Sequence, residues 1–189
     1  MIAHRLYKIL VLGFILLVAP ALYSTAGLLP TIIITVSLIG GFIIWIKFSL
    51  PYPTEPRKLI PVYSLMVLSL WVHIWEEYQF DFGSRIGNMT GSGWTDSQFL
   101  VTFGFIFPFL WILAIFGLVN KHPLAYYIAS FVAFGMFLGE PTHVLVFPNV
   151  EGGPYHYFPG MWTALLPMIF GIWTIFLMIQ DSRNATKKY

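Results

Sequence analysis

Apolar stretches of about twenty residues recur along the whole chain, and each is long enough to cross the roughly 30 Å hydrocarbon core of a bilayer. No separable soluble domain and no internal repeat interrupts them. The sequence therefore predicts an all-α polytopic membrane bundle, in which residues 1–189 form a single membrane domain. The six predicted spans cover approximately residues 7–23, 28–46, 59–80, 98–119, 123–147 and 158–179.

Composition supports the same class. The chain is 58% hydrophobic and only 10% charged, whereas an ordinary soluble domain carries roughly 25% charged residues. This excludes a water-soluble globule and a disordered chain. A net charge of +2 is too small to indicate a nucleic-acid partner. The absence of cysteine excludes disulfides, thiolate metal ligands and thiol nucleophiles.

The N-terminal region allows two alternative interpretations. Only a few residues, including Gly27 and Pro30, separate the first two spans, so one bent hairpin is possible there. Arg5 and Lys8 precede a short apolar run, as in a signal peptide. We do not expect cleavage, because no soluble domain follows this run, and the alternative of one bent hairpin stays open.

The basic residues indicate an orientation, because Lys and Arg concentrate in short cytoplasmic loops. If both termini lie in the cytoplasm, nine of the ten Lys and Arg residues lie on the inner side, and only Arg85 lies on the outer side. The pattern therefore predicts an N-in, C-in protein. We also expect residues 83–94, which contain four glycines, to form a mobile outer loop. The inner basic residues are Arg5, Lys8, Lys47, Arg57, Lys58, Lys121, Arg183, Lys187 and Lys188.

Ionisable residues occur inside two predicted spans, where a charge costs at least about 2.5 to 3.5 kcal/mol on insertion scales. The third span contains His73, Glu76 and Glu77, whose spacings of three and four place them on one helix face. The fifth span contains Glu140 and His143, again three residues apart. Such residues are functional candidates by default.

The depths of these groups agree. At 1.5 Å per residue, those of the third span lie roughly 20 to 27 Å from the inner surface, and those of the fifth roughly 25 to 30 Å. His156, which precedes the sixth span, reaches the same level from outside. We expect Pro141 to kink the fifth span and to turn Glu140 inward. Six side chains are therefore expected to converge in the outer half of the membrane.

Two kinds of chemistry make such a cluster tolerable. A divalent zinc, iron or manganese ion would neutralise the carboxylates. Paired metals bound by Glu-x-x-His pairs do this in helical bundles. Without metal, a carboxylate would stay protonated or share a proton with histidine, which suits acid-base catalysis. A third alternative is a purely structural group of polar side chains that joins the helices. The predicted metal ligands are His73, Glu76, Glu77, Glu140, His143 and His156.

Among these residues, Glu77, His73 and Glu140 are the candidate catalytic groups. Trp75 and Trp162, with Tyr157, are the candidates for substrate binding, although tryptophans in such proteins also serve the membrane interface and packing. Neither haem nor a nucleotide is expected. The sequence leaves the oligomeric state open.

The run His73-x-x-Glu76-Glu77, the later His143 and the sequence Tyr157-x-Pro159-Gly160 resemble the family of prokaryotic membrane proteins named for its HXXEE motif. The resemblance covers roughly residues 61–179. The family name implies no established activity, so the resemblance supports the site and leaves the reaction open.

A weaker resemblance is to the emopamil-binding-protein-like sterol isomerases. The order of spans from residue 28 onward is similar, as are His73 with Glu77 at spacing four and the loop that contains Lys121. In that family such a His and Glu imply proton transfer to a sterol double bond. This chain lacks an acid in the fourth span and has an additional N-terminal span, so the resemblance concerns architecture more than sterol chemistry.

Three functions remain at this stage. The first is a metal-dependent membrane enzyme, a hydrolase or oxidoreductase, that acts on a lipid, an isoprenoid or another apolar molecule. The second is a metal-free isomerase or cyclase with a Glu/His acid-base pair. The third is a lipid-binding or transport protein without turnover.

Overall fold

The computed structural model describes residues 2–187, with the side chains of residues 2 and 3 excepted, and this part of the chain is helical without strands. Lys188, which the charge pattern assigns to the inner side, lies outside the described residues. The helices are α1 (Ile2–Ala26), α2 (Leu28–Ser49, with Trp45–Ser49 in the π-helical form), α3 (Pro56–Gln79), α4 (Phe82–Thr90), α5 (Asp96–Val119, with Leu100–Ile106 in the π-helical form), α6 (Pro123–Gly139), α7 (Thr142–Leu145), α8 (Phe147–Val150) and α9 (Leu165–Thr186).

Within residues 2–187, six helical stretches are long and apolar enough to cross a membrane, with mean hydropathies from 1.3 to 2.5. They are α1, α2, α3, α5, the α6–α7 stretch and α9. The outside of the bundle carries large apolar side chains such as Leu17 and Phe105, which are 77% and 65% exposed. A surface of this kind suits hydrocarbon rather than water. The predicted all-α fold with six candidate spans is confirmed.

Helix α6 occupies the middle of the bundle and packs against α2, α5 and α9, while α3 packs against α5 and α9. Small residues permit this close approach. A Cβ atom at Gly41 of α2 would lie 2.4 Å from the Cα of Phe131, and one at Gly171 of α9 would lie 2.8 Å from the carbonyl oxygen of Ala133. Helix α1 packs mainly against α2 at the edge of the bundle.

Polar and aromatic contacts show which helix termini lie at the same end of the bundle. The Lys58 Nζ lies 2.9 Å from the Asp181 Oδ1, and the rings of Tyr7 and His122 are 5.7 Å apart. The start of α1, the start of α3, the α5–α6 turn and the end of α9 therefore share one end. The assignment of this end to the cytoplasm stays a prediction.

At the opposite end of the bundle, the prediction of a mobile loop over residues 83–94 is wrong, because residues 82–90 form α4. Gly83 and Gly87 bring this helix against the chain that leads into α5. A Cβ atom at Gly87 would lie 2.3 Å from the Trp94 carbonyl oxygen. The segment is thus a packed helical cap, which ends at Gly91 with a φ of +67°.

Two expected spans have different bounds in the structure. The fifth is interrupted after Gly139, because Pro141 has no N–H to continue the helix, and the Thr142 hydroxyl donates to the Gly139 carbonyl. The last span begins at Leu165 rather than near residue 158. Turns form residues 159–164, with Gly160 at a φ of +89°. Both irregular segments contribute to the site.

Candidate functional site

Four ionisable side chains meet near the C-terminal end of α3. His73 and Glu77 lie one turn apart on that helix, while Glu140 occupies the break before α7 and His143 lies on α7. Each is at most 5% exposed. The Glu77 Oε1 lies 3.6 Å from the His73 Nε2 and 3.5 Å from the His143 Nε2. One ligand atom from each of these three residues falls within 4.8 Å of the others.

Hydrogen bonds on the far side of each imidazole orient its Nε2. The His143 Nδ1 lies 2.6 Å from the Pro159 carbonyl oxygen, which can only accept, so Nδ1 carries the hydrogen. The His73 Nδ1 lies 3.0 Å from the Thr163 Oγ1. That hydroxyl donates to the Glu76 Oε2 and therefore accepts from His73. In the neutral state, both rings direct an Nε2 lone pair toward Glu77.

Glu140 adds a second carboxylate to this cluster. Its Oε2 lies 2.9 Å from the His73 Nε2, yet this buried oxygen has no aligned hydrogen-bond partner among the described residues. A neutral His73 offers Glu140 a lone pair and no hydrogen. Two buried acceptors at this distance repel each other, and a shared proton or a bound cation would relieve this repulsion.

Glu76 does not join the four converging residues, contrary to the expectation from spacing. Adjacent residues are about 100° apart around a helix, so Glu76 faces the turn before α9 while Glu77 faces the cluster. Its carboxylate accepts from the hydroxyl of Tyr157 at 2.6 Å, from the amides of Trp162 and Thr163 at 3.2 and 2.9 Å, and from the Thr163 hydroxyl. Glu76 therefore anchors the turn that orients His73.

His156 is also placed differently from the expectation. Its Nε2 lies 2.6 Å from the Glu151 Oε2, and its Nδ1 lies 2.8 Å from the Pro154 carbonyl oxygen. The same Glu151 oxygen is 3.5 Å from the Arg85 Nη1. The hydrogen bonds to Pro154 and Glu151 raise the pKa of His156. This side chain belongs to a polar group with Glu151 and Arg85, away from the cluster, because local partners engage both ring nitrogens.

The predicted substrate-binding residues lie away from the cluster's cavity. Trp75 and Trp162 are 61% and 80% exposed, and neither lines that cavity. Tyr157 is engaged with Glu76, and its burial together with this hydrogen bond raises the pKa of its phenol. It therefore remains a donor at neutral pH and supports the turn before α9.

An apolar cavity of about 170 Å³ adjoins the cluster. His73, Glu77, Glu140 and His143 form its polar end, and the remaining lining is mainly aliphatic and aromatic. One wall is an aromatic stripe along α5, in which the side chains recur every four residues and so share one face. The stripe consists of Phe99, Phe103, Phe107 and Trp111.

Three residues that shape the site are not among the candidate site residues predicted from the sequence. Thr163 bridges Glu76 to His73, and the Pro159 carbonyl sets the tautomer of His143. Gly160 packs between the two rings, since a Cβ atom there would lie 2.5 Å from the His143 Nδ1 and 2.6 Å from the His73 Cε1. The Pro159–Gly160 pair does occur within the motif of the HXXEE resemblance, which is the one sequence feature that singles out this turn.

Two of the donor separations in the cluster match those around a divalent metal ion. Two ligands of a tetrahedral ion with bonds near 2.0 to 2.2 Å are about 3.3 to 3.6 Å apart, and Glu77 lies 3.6 and 3.5 Å from the two imidazole nitrogens. Hydrogen bonds to the outer nitrogens of ligating histidines are typical of metal sites. Nitrogen and carboxylate donors without sulfur suit zinc, iron or manganese.

Comparison with models of known protein families, with curated proteins and with solved structures gives no match to this chain.

Proposed function

We propose that the chain is a membrane-embedded enzyme that holds a divalent zinc, iron or manganese ion and acts on a lipid, an isoprenoid or another apolar substrate by hydrolysis or oxidation. The observation that carries this proposal is the pair of inward-facing Nε2 atoms. Both converge on the Glu77 carboxylate, and both outer ring nitrogens are already engaged. A cation relieves the repulsion between these lone pairs and the carboxylates.

Each residue then has a defined task. His73, His143 and Glu77 would hold the metal, which supplies Lewis-acid or redox chemistry when bound. Glu140, 2.9 Å from the His73 Nε2 and at the cavity wall, accepts or delivers a proton at its Oε2. Aromatic side chains along the cavity exclude water from the reacting groups.

The proposal is tested by elemental analysis of protein purified without chelator, beside His143→Ala and Glu77→Gln variants. We expect roughly one metal ion per wild-type chain and a large loss of metal in both variants. His122→Ala is the matched control, because His122 lies at the other end of the bundle against Tyr7. Stoichiometric metal that both site variants retain would contradict the ligand assignment.

Turnover needs a separate measurement. Wild-type protein and the Glu77→Gln variant are incubated with a total lipid extract, and mass spectrometry follows the disappearance of lipids and the formation of products. We expect conversion by the wild-type protein only. The absence of any product, with metal bound, would favour a lipid-binding or transport protein.

A second candidate function is a metal-free isomerase or cyclase. It is favoured by the His73–Glu140 contact of 2.9 Å, which a shared proton would also explain. In that case Glu140 and His73, with Glu77, move protons to and from an apolar substrate. Metal-free protein that converts substrate would establish this alternative and reject the first.

A further inference from the structure

The cavity lies between two helices that do not pack closely together. Helix α2 contributes Ile33, Ile34 and Ser37 to its lining, and α5 contributes its aromatic stripe. Yet α2 packs against α1 and α6, and α5 packs against α3 and α6, with no extensive contact between α2 and α5 in residues 2–187. Both helices therefore line the cavity without packing closely against each other, and we call the gap between α2 and α5 the seam.

The charge of the lining restricts what can bind. Glu77 and Glu140 are acidic, and no Lys or Arg occurs among the described residues that line the cavity. Arg85 lies on α4 beside Glu151 and does not line the cavity. A divalent ion would be neutralised by the two carboxylates, so a carboxylate or phosphate group on the ligand would still lack a countercharge. Burial of such an unpaired anion is costly.

The size of the cavity limits how much of the ligand is enclosed. A cavity of about 150 Å³ holds one benzene molecule, and this one measures about 170 Å³. It therefore encloses the reactive part of a lipid and little more. The rest of a long chain must extend through the seam into the bilayer.

From these observations we infer that the cavity binds a neutral lipid, with an alcohol, ester or olefin as its reactive part, which arrives laterally from the bilayer between α2 and α5. The bound end lies beside Glu77 and Glu140, and the hydrocarbon remainder lies against the aromatic stripe and the surrounding lipid. The inference rests on the proposed function only in assigning reactivity to the enclosed end. The route and the charge preference are properties of binding.

The experiment uses the full chain in phosphatidylcholine vesicles with two photoreactive probes. One is a long-chain fatty alcohol with a diazirine near its hydroxyl end, and the other is the matched alkylsulfonic acid, which stays fully ionised in the vesicles. Labelled peptides are mapped by mass spectrometry. We expect the alcohol to label peptides that contain Ile33, Phe103 or Met136, at least about tenfold more than the acid, because burial of an unpaired charge costs several kcal/mol.

Tryptophan substitutions test the route. Ile33→Trp fills the seam and is expected to remove most of the labelling by the alcohol. Ile32→Trp is the matched control, because Ile32 is 49% exposed, lies one position away and does not line the cavity. Ile34→Phe is a milder second variant at the seam, for use if Ile33→Trp does not fold.

Equal labelling by the two probes would overturn the charge preference, and unchanged labelling of both seam variants would overturn the route. Metal content is measured in the same samples and should not change in the seam variants. Loss of the proposed function would appear as absent metal with cavity labelling intact. A failure of the present inference would appear as bound metal without selective cavity labelling.

Discussion

Gly160 lies so close to His143 that a Cβ atom at residue 160 would stand 2.5 Å from the imidazole Nδ1. The turn before α9 and the histidine are therefore fitted to each other, and the Pro159 carbonyl reaches Nδ1 because Gly160 has no side chain to prevent it. This contact makes the turn part of the site, although none of its residues is a candidate ligand.

Gly160→Ala should displace one or both imidazoles and weaken metal binding. Overpacking of this kind costs typically about 1 to 3 kcal/mol, and it is measured as a lower melting temperature and a weaker metal affinity. Gly153→Ala is the matched control. Its φ of +82° resembles the +89° of Gly160, but no atom lies within 4 Å of a Cβ atom there. Equal losses of metal affinity in both variants would assign the effect to backbone strain alone.

Thr163→Val should lower metal affinity by roughly tenfold to 100-fold, as the loss of an outer partner of a ligating histidine does. The valine keeps the shape and removes the hydroxyl that fixes the His73 tautomer. Thr163→Ser retains the hydroxyl and should keep most of the affinity. Chelator competition measures both variants. A valine variant that binds metal like wild type would show that Thr163 does not orient His73.

Glu76→Gln should destabilise the protein more than it depletes the metal. A neutral amide accepts weaker hydrogen bonds than a carboxylate does, and bonds to charged groups contribute about 1.5 to 3 kcal/mol each. We expect a lower melting temperature with full metal occupancy at saturating metal. If the metal is lost while the fold is retained, Glu76 is a ligand, as its position in the sequence first indicates.

The polar group formed by His156, Glu151 and Arg85 should become less stable as the pH rises. Because the pKa of His156 is raised in the folded protein, its contribution is fully present below the unfolded value near 6.5. It is lost as the pH rises through the folded value. Amide protection factors of residues 151–157 should therefore fall across neutral pH. His156→Gln should abolish this pH dependence without lowering metal content, and an unaltered profile in that variant would exclude His156 as its source.

The orientation in the membrane can be tested directly, because the chain has no cysteine. Single cysteines are introduced at Lys121 and Asn88, which lie toward opposite ends of the bundle. We expect an impermeant thiol reagent added outside intact cells to label position 88 and not position 121. The reverse pattern would place both termini outside.

The spans and the convergence of four ionisable residues follow from hydropathy, helix period and matched depth. His73 and Glu77 are one turn apart, and the break at Pro141 was foreseeable because proline lacks an N–H. The separation of Glu76 from the cluster was not foreseeable in the same way, since either of two adjacent glutamates could face inward until the partner segment is known. The structure does not bring His156 into the cluster. Its expected depth gives no information about its local partners, which are Glu151 and the Pro154 carbonyl.

The bridge from Thr163 to His73 joins residues 90 positions apart, and this separation has a consequence for biogenesis. The turn that orients the imidazoles is synthesised after both histidines, just ahead of α9. Without this turn, His73 and His143 lack the Nδ1 partners that fix their tautomers. If the cluster binds metal as proposed, the metal stabilises only the state that has the assembled site, and retention of metal in newly made protein would report that the turn and α9 have reached their place.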